Sequence, residues 1–290
     1  MKHLVFIINP KSGVDRQKKI QNAIDQFLDH VQYSYELQYT QFAKHGTELA
    51  KQAACNGAYA VVAVGGDGSL NDIAKGLLGT NTILAVIPKG SGNGMARTLG
   101  IPINDVEAIK LINRGNTSAI DVAFANDVPY ISNAGIAFDA LIAKEFAKSE
   151  KRGLMSYSWL VTKHMWTYKE WKWKIEIDGK EIEEEAFIIN VANGRQFGYD
   201  FKIAPDANWT DGLLDVILIR KFPKILGGIV ALRLKLGSIH RCYFSRHFRT
   251  NEITISHPDL KLIQTDGDAH SCANSIHFSI KPAALRVIVP

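Results

Sequence analysis

The sequence predicts a chain in two parts. Residues 1–125 read as an α/β domain, a parallel sheet with flanking helices, and residues 126–290 as a mainly antiparallel β domain. Three observations carry this. Apolar runs alternate with helical spacing through the first 120 or so residues. Three glycine-bearing loops each follow a strand-like run. From Asp121 onward short strand-like segments dominate, and Asp178-Gly179 marks a hairpin. The boundary is expected near Asn126-Asp127.

Leu4 to Ile8 reads as a buried strand, followed by the loop Asn9-Pro10-Lys11-Ser12-Gly13 and by helical spacing from about Asp15 to Leu28. A second strand alternates through Tyr33, Tyr35 and Leu37 and ends at Thr40. A helix around Thr47 to Ala54 leads into the strand Val61-Val62-Ala63-Val64. That strand breaks at Gly65-Gly66-Asp67-Gly68 into a helical pattern of Leu70, Ile73, Ala74, Leu77 and Leu78. Ile83 to Ile87 then ends in Pro88-Lys89-Gly90-Ser91-Gly92-Asn93-Gly94. In a parallel sheet these loops lie along one edge, where ligands of such sheets bind. In the second part, strands are expected at Val128 to Ala134, Trp173 to Ile177, Ala186 to Val191, Leu213 to Arg220 and Phe244 to Ile255. Helices are expected near Ala140 to Lys148 and Leu154 to Trp166, and Ile225 to Leu236 fits a helix with a broad apolar face.

Composition removes several classes. Charged and apolar fractions of 22% and 46% are ordinary for a globular chain, which excludes disorder. A net charge of +5 does not point to nucleic acid. Cys55, Cys242 and Cys272 are widely spaced with no CxxC pair, which fits a reducing cytosol and no disulfide framework. The apolar run after Met1-Lys2-His3 is too short for a signal-peptide core, and no run approaches the length that spans a bilayer. GxxxxGK[ST], GxGxxG, HExxH, paired cysteines and a nucleophile elbow are all absent.

The chemistry concentrates at Gly65 to Asn71. Glycines let the backbone approach a ligand closely, and successive N–H groups with the following helix's positive end cradle phosphate oxygens. A carboxylate among phosphates calls for a cation between them, so Asp67 suggests Mg²⁺ and a nucleotide. The same residues also suit a tight turn in which Asp67 caps the helix.

One ordered set of segments resembles the diacylglycerol kinase catalytic-domain family of lipid kinases, which includes bacterial diacylglycerol kinases and sphingoid-base kinases. The segments are Asn9-Pro10-Lys11-Ser12-Gly13, Gly65-Gly66-Asp67-Gly68-Ser69-Leu70-Asn71 and Pro88-Lys89-Gly90-Ser91-Gly92-Asn93. Ala204-Pro205-Asp206-Ala207, Asp211-Gly212-Leu213-Leu214-Asp215 and Thr265-Asp266-Gly267-Asp268 follow, so the set covers about 260 residues. The resemblance implies an active site in a cleft between the two domains and an ATP- and Mg²⁺-dependent kinase that phosphorylates a lipid hydroxyl. Diacylglycerol is the default acceptor and a sphingoid base or ceramide-like lipid the alternative. It implies nucleotide contacts from Asn9, Ser12, Gly13, Thr40, Gly65, Gly66, Asp67, Gly68, Ser69, Leu70, Asn71, Ser91, Gly92 and Asn93, with Asp121 in a water–Mg²⁺ network. Asp266 or Asp268 supplies the general base, with Asp67 counted among the catalytic residues for its metal. Asp211, with backbone oxygens near Asn208 and Leu213, matches a structural Mg²⁺ site. On residues alone Asp211-Gly212 also reads as a plain turn, Asp266-Gly267 as a hairpin turn and Asp121 as a strand end.

Three departures stand out. Asp268 replaces the family's usual Glu, which shortens its reach by about 1.5 Å. Asn93-Gly94 replaces Asn-Asp, and a glycine-rich turn after Asn193-Gly194 is reduced to Gly198-Tyr199-Asp200. Gly94 and Tyr199 support a second reading, a nucleotide- or lipid-binding protein without catalysis. A kinase of a soluble acceptor such as NAD is a third. The lipid reading implies a cytoplasmic protein in transient contact with the inner membrane surface and no nucleic-acid partner, and a homodimer is the oligomer expected. Two segments suit such contact. Residues 220–249 hold Arg220, Lys221, Lys224, Arg233, Lys235, Arg241, Arg246 and Arg249 without an acidic residue. Trp159, Trp166, Trp171 and Trp173 interleave with Lys163, Lys169, Lys172 and Lys174. A core-packed helix with a basic rim, and tryptophans that are simply core, are the alternatives.

Overall fold

A computed structural model describes residues 1–10, 17–90, 92–149, 153–197 and 200–290. Contacts divide the chain into two compact units, 1–120 with 283–290 and 121–282.

In the first unit, β1 (Lys2–Ile8), α1 (Gln17–Phe27), β2 (Tyr33–Tyr39), α2 (His45–Cys55), β3 (Ala60–Gly65), α3 (Asp67–Leu77) and β4 (Ile83–Pro88) alternate as expected. Two short helices follow, α4 (Gly94–Thr98) and α5 (Asp105–Arg114), neither of which the apolar spacing had marked. Asn104 starts α5 by accepting the N–H groups of Val106 and Glu107 on its Oδ1 at 3.0 and 3.3 Å. The parallel strands lie in the order β2-β1-β3-β4. β3 and β4 are buried along their whole length, because helices cover both faces and the runs Ala-Val-Val-Ala-Val and Ile-Leu-Ala-Val-Ile carry no polar side chain. β5 (Thr117–Ala125) and β15 (Ser275–Ile288) each begin in one unit and finish in the other, and Val287 pairs with Leu84 of β4.

The second unit contains β6 (Val128–Tyr130), β7 (Asn133–Ala137), α6 (Phe138–Lys148), α7 (Leu154–Met165), β8 (Trp171–Ile177) and β9 (Lys180–Ala192). It continues through β10 (Leu214–Arg220), α8 (Gly227–Lys235), β11 (Ser245–Thr250), β12 (Glu252–Ser256), β13 (Leu262–Thr265) and β14 (Asp268–Ser271). Its pairings are antiparallel, in the order β14-β13-β7-β9-β8-β12-β15, with β10 and β11 added on β9. Asp178 and Gly179 both have positive φ, 50° and 70°, between the paired Ile177 and Lys180, which is the two-residue hairpin the dipeptide predicts. One apolar cluster joins the strands around Trp173, Ile175, Ile189, Val216, Ile253 and Phe278. A second lies under α6, α7 and α8 around Phe138, Leu160, Phe187, Val230 and Leu234.

Three segments differ from expectation. Val128 to Ala134 is two strands, because the N–H groups of Ile131, Ser132 and Asn133 leave the ladder for the Asp266 carboxylate. Phe244 to Ile255 breaks at Asn251, where β11 pairs with β10 and β12 with β8 and β15. The helix expected from Ile225 opens as a single 3₁₀ turn, Lys224–Leu226, before α8.

Candidate active site

The nucleotide-type residues gather at the carboxyl ends of the first unit's parallel strands. Asn9 follows β1, Thr40 follows β2, Gly65 ends β3 with Gly66 directly after it, and Gly90 follows β4. The loops are tied in the same order as the strands. Thr40 N–H donates to Ile8 O at 3.0 Å, Asn9 N–H to Val64 O at 3.1 Å and Lys89 N–H to Gly65 O at 2.7 Å. Sheet order reverses between β1 and β3, the switch point at which such sheets open a crevice. Asn9 crosses that point, donating from Nδ2 to Ser69 Oγ at 2.9 Å.

Backbone proximity explains the glycines. A Cβ on Gly66 would sit 3.1 Å from Gly90 Cα, and one on Gly90 2.6 Å from Gly66 Cα, so the two loops meet main chain to main chain. Asn93 fixes the second loop in the left-handed region (φ 51°), accepting Gly90 N–H on Oδ1 at 2.9 Å and donating from Nδ2 to Gly90 O at 2.8 Å. The first turn of α3 has no side-chain cap, and Gly68 faces open space. Uncapped N–H groups beside an open glycine are what a phosphate requires. Asp67 does cap a helix, but it is α4: its Oδ1 accepts Met95 N–H at 3.2 Å. Leu70 and Asn71 are buried on α3, holding the helix rather than its mouth. Gly92 is partly buried, and Lys89 turns its ammonium to Asp105 in an ion pair. Ser12, Gly13 and Ser91, and with them Tyr199, lie outside the described residues.

The remaining predicted residues belong to the second unit. Asp266 and Gly267 form the tip of the β13–β14 hairpin with φ of 53° and 90°. The hairpin turn that Asp266-Gly267 suggests is therefore formed. Asp266 Oδ1 accepts Ser132 N–H at 2.7 Å and Asn133 N–H at 3.3 Å, while Oδ2 accepts Ile131 N–H at 2.9 Å. Asp268, the first residue of β14, is exposed. Burial, with the charge of Asp266 as a smaller cause, pushes the neighbouring Tyr130 phenol well up.

Behind the hairpin lies a polar cluster absent from the sequence reading. Asp139, buried at the start of α6, accepts Asn190 Nδ2 at 3.1 Å and Gln264 Nε2 at 3.0 Å on the same oxygen, Oδ2. Gln264 in turn accepts Gly267 N–H on Oε1 at 2.8 Å, linking α6 to the hairpin tip. Burial raises the Asp139 carboxyl to about 6, and the two amide donors offset part of that rise. A Cβ on Gly135 would fall 1.7 Å from Asp139 Oδ2, so the glycine makes the room. That glycine, four residues before an otherwise unremarked Asp, was the available signal.

Asp121 and Asp211 share one loop cluster. Asp121, 2% exposed, donates its N–H to Trp209 O and accepts Gly212 N–H on Oδ2, both at 2.7 Å. Asn208 Oδ1 accepts from Thr210, and Asp211 Oδ1 accepts Leu213 N–H at 3.1 Å. Asp211 Oδ2 is paired with the Arg249 guanidinium, which fills the place a cation would take beside that carboxylate. As arranged, this turn does not fit a metal. Among the described residues no three His, Cys, Asp or Glu side chains converge as a metal cluster. Asp67, partly exposed in the first turn of α3, is a carboxylate of the kind that holds Mg²⁺ together with substrate phosphates and water.

Comparison with known proteins finds matches across most of the chain. Residues 3–125 match the family model of the diacylglycerol kinase catalytic domain, and residues 132–289 that of the YegS C-terminal NAD kinase beta sandwich-like domain. A diacylglycerol kinase of Bacillus subtilis is 30% identical over 226 residues, 76% of this chain and 75% of that protein. An uncharacterized Synechocystis protein is 30% identical over 230 residues, 74% of this chain and 52% of that protein, so the chain spans about half the length of that relative. A crystal structure of a Bacillus anthracis diacylglycerol kinase superimposes with a TM-score of 0.75 at 23% identity, covering 100% of this chain and 97% of that one.

Proposed function

We propose, from the premise that the chain belongs to the diacylglycerol kinase family, that it transfers the γ-phosphate of ATP to the hydroxyl of a membrane lipid, with diacylglycerol as acceptor and phosphatidic acid as product. The observation that carries the proposal is the uncapped first turn of α3, held open by the main-chain contact of Gly66 with Gly90.

Bound Mg²⁺ would supply charge neutralisation at the phosphates, and Asp67 is the carboxylate suited to hold it. Within the chain, the N–H groups of Gly68 and Ser69 take phosphate oxygens, and the Asn9–Ser69 hydrogen bond keeps that turn in place. The acceptor oxygen bonds to the γ-phosphorus as the bond to the bridging oxygen breaks, and the hydroxyl proton leaves to a carboxylate. Asp268 suits that task better than Asp266. Asp266 spends its oxygens on three backbone N–H groups, whereas Asp268 is exposed one residue beyond the turn they hold. Asp266 and Gln264 then set the hairpin from which Asp268 projects.

The test is labelled-phosphate transfer from Mg-ATP to mixed micelles of diacylglycerol, sphingosine or ceramide, with Asp67→Ala and Asp268→Ala as controls. Transfer to diacylglycerol, lost in both variants, supports the proposal. Transfer to sphingosine or ceramide alone moves the acceptor to that lipid. ATP binding without transfer to any lipid would sink the kinase reading in favour of a binding protein or a soluble acceptor.

A further inference from the structure

We infer that the outward faces of α7 and of the Lys224–Leu236 segment form a docking surface for an anionic phospholipid bilayer. The inference rests on the lipid-kinase reading and names where such a kinase meets its substrate.

Both elements lie over the same apolar cluster of the second unit. Leu160 of α7 and Val230 and Leu234 of α8 are buried in it, and a Cβ on Gly227 would fall 2.6 Å from Met165 Sδ. A helix with that inner contact should be polar outside. Instead Ile225, Ile229, Leu232 and Leu236 recur at intervals of four, three and four residues, and Met155, Trp159 and Trp166 repeat the same register with Thr162 in the third place. The seven apolar side chains are between 53% and 89% exposed. Nine of the fifteen large apolar residues exposed among the described residues fall between Leu154 and Tyr243.

Charge decides the occupant. Residues 153–169 and 220–251 contain no Asp or Glu. Lys221, Lys224, Lys235, Arg246 and Arg249 are paired with acids from other elements, which leaves Lys163, Lys169, Arg220, Arg233 and Arg241 as the basic surplus among the described residues. Arg233 and Lys235 flank the α8 stripe at roughly 80° to either side of a 3.6-residue helix, and Lys163 lies over the Trp159 ring at 5.1 Å. Aliphatic and indole groups between cations suit the interface of an anionic membrane. A second copy would bring the same basic face against itself. Trp171 and Trp173 take no part: Trp171 stacks on His257 at the sheet, and Trp173, tilted against both rings, is fully buried.

The experiment is co-sedimentation of the full chain with vesicles of phosphatidylcholine alone or with phosphatidylglycerol, for wild type, Ile229→Glu/Leu232→Glu and Met155→Glu/Trp159→Glu. Wild type should bind the anionic vesicles, more weakly in high salt, and each double variant should bind them about tenfold less or worse. All sites are exposed, so unchanged melting shows that the variants fold. Turnover of diacylglycerol in vesicles should fall with binding, while turnover of a short-chain diacylglycerol dispersed in detergent should stay at the wild-type level. Variants that bind like wild type overturn the docking surface and leave the kinase reading standing. A wild-type dimer that the substitutions dissolve, with no vesicle binding, overturns it in favour of a second copy. Binding lost in the variants without phosphate transfer by any form supports the surface and removes the kinase.

Discussion

Replacing Asp139 by asparagine tests the buried cluster behind the hairpin. Burial raises the carboxyl from 3.8 to about 6, so the folded protein binds a proton between those values that the unfolded chain has already released. A raised carboxyl contributes its full stability below pH 4 and loses it as pH climbs through 6. At 1.36 kcal/mol per unit the loss is about 3 kcal/mol, complete by pH 7. The Asp139→Asn amide keeps an oxygen where Oδ2 accepts Asn190 and Gln264, but carries no charge. The variant should therefore match wild type near pH 4 and exceed it by up to about 3 kcal/mol at pH 7. Urea unfolding from pH 4 to 8, followed by tryptophan fluorescence, measures this in the right place, because all five tryptophans lie in the second unit. The difference between the two stability curves cancels every other titrating group. A difference that stays flat across the range would refute the argument. Because the amide preserves the Gln264–Gly267 link, phosphate transfer should survive in the variant.

Gly90→Ala forces a Cβ to 2.6 Å from Gly66 Cα, so ATP affinity measured by calorimetry should fall about tenfold or more, with some loss of stability. Gly68→Ala has open space and should lower ATP affinity while leaving the melting temperature close to wild type. Asp268→Asn should abolish transfer in an otherwise stable protein. Asp266→Asn should also unsettle residues 131–133, seen as faster amide exchange there; equal, purely catalytic losses in both would count against the assigned roles. Arg249→Met leaves Asp211 and the buried Asp215 less compensated and should cost roughly 1 kcal/mol. Added Mg²⁺ should restore part of that loss, whereas wild-type melting should not respond to Mg²⁺ at this loop.

Much of the fold was legible because the signals are local. The runs Leu4 to Ile8, Val61 to Val64 and Ile83 to Ile87 lack polar side chains and so had to be covered on both faces, which with intervening helical spacing specifies a parallel sheet. Asp178-Gly179 needs only its own two residues to make a hairpin, and Gly65-Gly66 only its place after a buried strand. The split of β6 from β7 was hidden, since its cause, Asp266, lies more than 130 residues away. Asp139 was hidden for a related reason. On α6 it resembles any polar first-turn residue, and its burial depends on the room left by Gly135 and on donors from β9 and β13.

The sequence by itself thus determined where the parallel strands lie, which loops carry glycine and which dipeptides turn, because each follows from apolar periodicity and φ preference within a few residues. Tertiary structure alone decided that Gly66 and Gly90 touch, that Asp67 caps α4, that Arg249 occupies the Asp211 carboxylate and that Val287 pairs beside β4. It also decided that α8 is apolar on its outer face as well as its inner one. Those facts depend on groups far apart in the chain meeting at hydrogen-bond or van der Waals distance, and local pattern carries no information about such meetings.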